Sequence, residues 1–149
     1  KALKLLLTRL DERDTVAIVT YAGSVGTLLA PTSAKNKTAI EAAIDRYPHA
    51  DEYRSYPGPN SNTFLAHIGR EVPALRLDLP ANAIGKDYRP VTRPLGVSPS
   101  GSGLQFSLLG LLGLSVGVQE GIELNLLGLN FGVDFNSPAL RLRTRSNRR

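Results

Sequence analysis

Apolar residues along this chain change their spacing repeatedly, and each change marks a different kind of element. Residues 2–10 place Ala2, Leu3, Leu6, Leu7 and Leu10 at intervals of three and four, the spacing of one helical face. The charged run DERD ends that pattern. TVAIVTYA, residues 15–22, is a short β-branched run of the kind found in a strand buried on both faces. GSVG reads as a turn and VGTLLAP as a second strand stopped by Pro31. After the polar TSAKNK, helical spacing returns with Ile40, Ala43, Ile44 and Tyr47. The predicted order is helix, strand, strand, helix.

Prolines at 48, 57, 59, 73, 80, 90, 94 and 99 rule out long helices in the middle of the chain. One short helix fits there, Thr63 to Glu71, with Phe64, Leu65 and Ile68 as its apolar stripe, and VPALRLDLP predicts a brief strand. From Gly103 to Phe135 the period becomes two. Leu104, Phe106, Leu108, Leu112, Leu114, Val116 and Val118 alternate with Gln105, Ser107, Gly113, Ser115, Gly117 and Gln119. Ile122, Leu124 and Leu126 continue the even set, after which Leu127, Leu129, Phe131, Val133 and Phe135 move to odd positions. An extra residue at Leu126–Leu127 is what a β-bulge would insert. The glycines make a thin sheet face, either covered by a neighbouring helix or open to a ligand. The fold class is α+β, closing on an antiparallel β unit.

The uncharged stretch between Arg93 and Glu120, with Gly113, Gly117 and Gly121 four apart, invites a membrane reading. Length and period oppose it: as a helix, Leu104–Val118 would span about 22 Å against a hydrocarbon core of about 30 Å. No transmembrane segment is expected.

Charge and composition narrow the chemistry. The net charge of +5 resides in Arg141, Arg143, Arg145, Arg148 and Arg149, since residues 1–140 carry 13 basic and 13 acidic side chains. Residues 138–149 are expected to be a disordered basic tail, able to meet anionic surfaces non-specifically. With no cysteine, a thiolate metal site and a cysteine nucleophile are excluded, and bacterial cytoplasm and periplasm both remain open. KALKLLLTRL lacks a small-residue cleavage site and reads as the back half of an amphipathic helix, so the expectation is a fragment or a fusion.

YPGPNSNTF, residues 56–64, is the densest group of candidate site residues. Ser61 would stand at a helix N-terminus, where free amides favour an anion, with Asn60, Asn62 and Thr63 beside it. A serine nucleophile needs a base. His67 lies about 240° around the helix from Ser61, His49 reaches only through a loop, and no orienting group can be named from the sequence. The competing reading is structural, with Asn60 or Asn62 capping the helix. Lys86 and Asp87 in AIGKDY are further binding candidates, for which a surface ion pair or turn is the alternative.

Two families are resembled. LDERDTVAIVTYAGSVGTLLAPT, within residues 1–46, resembles the second and third strands of the von Willebrand factor type A domain, a Rossmann-like fold. That family's metal site uses Asp-x-Ser-x-Ser with a later Thr and Asp, all absent here, so no metal is implied. AAIDRYPHADEYRSYPGPNSNTF, LRLDLPANAIGKDY and PSGSGLQFSLLGLLGLSVGVQEGIELNLLGLNFGVD, over about 41–137, resemble the bacterial Domain of Unknown Function 3750. The expected layout is a type A-like segment at 1–46, a domain of unknown function at 47–137 and the basic tail. The expected role is a non-catalytic interaction or structural domain with no cofactor and with a protein as its candidate partner. The alternative is a papain-like or serine-type hydrolase remnant using Ser61.

Overall fold

A computed structural model describes residues 2–20, 26–33, 36–77, 79–80, 82–133 and 140–142. The first four elements follow the predicted order: α1 (Ala2–Thr8), β1 (Thr15–Thr20), β2 (Gly26–Ser33) and α2 (Lys37–Asp45). β1 and β2 pair antiparallel as a separate two-stranded sheet, with irregular register on either side of Ile18. On α1 Leu7 is buried and Leu10 packs beside it, whereas Leu6, expected on the same face, is exposed.

The third helix, α3 (Ser61–Glu71), begins two residues before the predicted start. Its stripe divides between two clusters. Ile68 and Phe64 join Leu7, Ile40, Ala43, Val72, Leu75 and Leu77, while Leu65 and Ala66 pack with Leu79 and Ala83. Arg46 and Glu71 pair at 2.8 Å between α2 and α3, and Lys4 pairs with Asp45 between α1 and α2. Among its described residues VPALRLDLP forms no strand. Residues Pro73–Leu75 make a single 3-10 turn, closed by Arg76 at a φ of 47°. Proline is suited to such a first position, because its φ is already set and its missing N–H is not needed there.

The C-terminal part is a six-stranded antiparallel meander in chain order: β3 (Leu95–Val97), β4 (Gly103–Leu108), β5 (Leu112–Gly117), β6 (Gly121–Leu126), β7 (Leu129–Val133) and β8 (Leu140–Leu142). The phase slip at Leu126–Leu127 is a turn and not a bulge. Leu126 pairs with Leu129, leaving a two-residue loop in which Leu127 and Gly128 have φ of 52° and 85°. Positive φ at both loop positions is the mark of a type I′ hairpin, whose twist matches that of its strands. A two-residue loop makes paired positions differ by an odd number, so the apolar set must change parity there. Leu108 pairs with Leu112 and Gly117 with Gly121, each across a three-residue loop that preserves parity.

This sheet is inverted relative to an ordinary half-buried one. Its apolar face is exposed, with Leu104 at 72% and Leu114 and Phe131 at 43% of full accessibility. Its polar face is buried: Gln105, Ser107, Ser115, Glu123 and Asn125 all point inward. The thin glycine positions lie on that inner face and are covered, though by side chains and not by a helix alone. A Cβ on Gly113 would collide with the Asp87 carboxylate, and one on Gly117 with that of Glu120. Within the tail expected over 138–149, Leu140–Leu142 form β8, where Arg141 pairs with Gly132. Phe135, Arg143, Arg145, Arg148 and Arg149 lie outside the described residues.

Candidate functional site

The proline elbow is built around Asn60. Its side-chain oxygen accepts from the amides of Asn62 at 2.9 Å and Thr63 at 3.2 Å, and the Asn60 amide donates to Thr63 Oγ1 at 3.1 Å. This reciprocal arrangement satisfies helix-start amides that otherwise lack partners. The same residues tie the elbow to AIGKDY. Asn60 Nδ2 and Asn62 Nδ2 donate to Ile84 O at 3.0 and 2.9 Å, and Thr63 Oγ1 donates to Gly85 O at 2.7 Å. Gly85, at a φ of 88°, passes so close that a Cβ would meet the Asn60 side chain at 2.6 Å. Asn60 and Thr63 are therefore buried structural groups, and capping belongs to Asn60 alone of the two asparagines considered.

Ser61 is the first residue of α3 and is exposed. It lies on the wall of an open cleft of about 360 Å³ lined by Tyr47, His49, Asp51, Glu52, Asn60 and Phe64, among others. His49 Nδ1 stands 4.0 Å from Glu52 Oε2, and its ring meets Tyr88 edge-on at 5.5 Å. The cleft thus holds a hydroxyl, an imidazole and carboxylates together. His67 is elsewhere. Its Nε2 donates to Ala43 O at 2.8 Å, beside Tyr47 at a ring distance of 5.3 Å. Burial lowers the His67 pKa, keeping the ring neutral, and burial raises that of the Tyr47 hydroxyl.

Lys86 and Asp87 form neither a surface pair nor an open site. Both are buried under the sheet. Lys86 Nζ donates to Glu123 Oε2 at 2.5 Å and to Leu79 O at 3.0 Å. Asn125 Nδ2 donates to Asp87 Oδ2 at 2.6 Å and to Gly110 O at 2.9 Å. The space among them is about 10 Å³, room for no more than roughly one water. Arg70 extends the layer, donating to Gln105 Oε1 at 2.6 Å, Lys86 O at 3.0 Å and Val97 O at 3.1 Å. Burial brings its pKa down to about 10, so it stays charged at neutral pH. Glu120 closes the far end, accepting from Ser100 N at 2.9 Å and Ser102 Oγ at 3.0 Å.

Sequence reasoning missed most of this layer. Gln105, Ser115, Glu123 and Asn125 alternate with leucines, and alternation alone says which residues share a face without saying which face is buried. It named His49 as reaching Ser61 only through a loop and missed Glu52, which lines the same cleft. Among the described residues no three His, Asp or Glu side chains converge as metal ligands. No helix among them is long and apolar enough to cross a membrane.

Residues 22–88 match a protein family of unknown function, DUF3750. The DUF3750-like region holds the elbow, the cleft and the Lys86–Asp87 pair, and ends before β3. It begins within the stretch compared above to a type A domain, for which these comparisons give no support, and the matched residues stop short of the glycine-rich sheet motif. No curated protein and no solved structure matches the chain.

Proposed function

We propose that this chain is a non-catalytic interaction module that works through the apolar face of its meander. One observation carries the reading: the sheet turns its leucines, valines and phenylalanines outward and its polar side chains inward. Scattered exposed leucines are ordinary on a protein surface, but a contiguous apolar sheet face marks a contact surface. The buried Lys86–Glu123 and Asp87–Asn125 bonds are then the frame that holds the sheet on its helices. Residues 1–46, with their type A-like order of elements and no Asp-x-Ser-x-Ser, support this frame and bind no metal. A Leu124→Glu variant tests the reading. Wild type is expected to associate or to bind an apolar dye, and the variant to do neither while keeping its circular dichroism spectrum. Wild type that shows neither behaviour would sink the idea.

A serine-type hydrolase is the second reading, favoured by the shared cleft of Ser61 and His49 with Glu52 against the imidazole. A hydroxyl, a base and an orienting carboxylate are the groups such chemistry uses. Labelling of wild type by a fluorophosphonate probe, abolished in Ser61→Ala and reduced in His49→Ala, supports it. Equal labelling of wild type and Ser61→Ala removes it.

A further inference from the structure

We infer that the occupant of the apolar face is a second copy of this chain, docked face to face so that two meanders form one sandwich. The inference rests on the interaction reading above and names its partner. Register aligns the outward-facing side chains in rows across the strands. Leu95, Phe106, Leu114, Leu124 and Phe131 form one row, and Val97, Leu104, Val116, Ile122 and Val133 the next. Leu108, Leu112, Leu126 and Leu129 form a third. None of these side chains is ionisable, so the face has nothing to repel its own image.

Size is the deciding quantity. Five strands about 4.8 Å apart, three to six residues long at about 3.3 Å each, give a face on the order of 400 Å². Two such flat faces come to roughly 800 Å², where a biological interface should clear about 1,000 Å². Side-chain corrugation makes the accessible area larger than this flat footprint. Two sheets packed in this way stand about 10 Å apart with strands near −30°, and each supplies the cover that an apolar sheet face requires. A two-fold axis through the centre of the face makes the contact self-complementary.

Leu114 is the centre of the middle row, so in a two-fold dimer it faces its own copy. The chain has no cysteine, which makes a single Leu114→Cys substitution a clean reporter. Sedimentation equilibrium of wild type is expected to give twice the 16.0 kDa chain mass at micromolar concentration, and Leu114→Glu the chain mass. Leu114→Cys is expected to form disulfide-linked dimers on mild oxidation, while Thr38→Cys, exposed on α2, is not. The cysteine pair keeps the idea testable should the glutamate variant fail to fold. A monomer that binds apolar dye or phosphatidylcholine vesicles would overturn the dimer and leave the interaction reading standing. A monomer that binds neither overturns both, and a dimer unaffected by Leu114→Glu overturns this face as its contact.

Discussion

Asn60 serves several roles at once, and this explains why four small polar residues crowd behind two prolines. It caps α3, receives the helix amides and bonds to Ser55 O and Ile84 O. An exposed cap costs about 1 kcal/mol on truncation, and the added buried bonds raise the figure for Asn60→Ala to about 2–4 kcal/mol. Urea unfolding followed by circular dichroism is expected to show a lower midpoint with an unchanged slope. Glu120 sets a pH dependence. Burial opposes its ionisation, but hydrogen bonds from Ser100 and the neighbouring serines outweigh burial and hold the carboxyl below its ordinary 4.5. A folded value below the unfolded one adds stability that is complete above about 4.5 and is lost as pH falls through the folded value. Glu120→Gln is therefore expected to flatten the fall in unfolding midpoint below that pH. A fall as steep as wild type would show that other carboxylates dominate the acid limb.

At the scale of elements, the meander and the AIGKDY turn beneath it are joined by charge as well as by packing. Lys86 and Glu123 are both buried, and removing one leaves the other charged, out of water and short of its ion-pair partner. Lys86→Met is expected to cost about 3–5 kcal/mol, whereas Lys86→Met with Glu123→Leu should recover much of that loss. Equal costs for the single and double variants in urea would mean that packing, and not charge, holds the sheet. The hairpins show how much an element owes to its turns. The loop at Leu127–Gly128 changes the parity of the apolar set, the loops after Leu108 and Gly117 keep it, and the connection from Val97 to Leu104 changes it once more, so all five strands β3–β7 present one apolar side.

At the scale of the whole molecule, the helical core and the sheet lie on opposite sides of the buried polar layer. Leu7, Ile40, Ala43, Ile68 and Leu77 close the helical side, and the far side of the sheet has no cover within the described residues. Stability then depends on what meets that side. If copies dock there, the unfolding midpoint rises with protein concentration, since association draws the equilibrium toward the folded state. A midpoint constant from low to high micromolar concentration, read by tyrosine fluorescence, would count against docking.

The sequence alone determined the kind and order of most elements, though not the 3-10 turn at Pro73–Leu75 or the short strands β3 and β8. The reason is that apolar spacing at three-to-four or at two is a local property of a helix or a strand and needs several residues to show. Helix, strand, strand, helix, the short α3 and the antiparallel unit were all legible in that way. So was the dense polar elbow, though its role as a cap and tether needed the position of Ile84 and Gly85. Three matters rested on tertiary structure. A slip of parity reads alike as a bulge or as a turn, and only pairing of Leu126 with Leu129 separates them. Ser61, His49 and Glu52 line one cleft through the path of a proline-bound loop that no periodicity encodes. Alternation names two faces without ranking them. Ion pairs from Lys86 and amides from Asn125, contacts between residues far apart in the chain, turned the polar face inward and left the leucines outside.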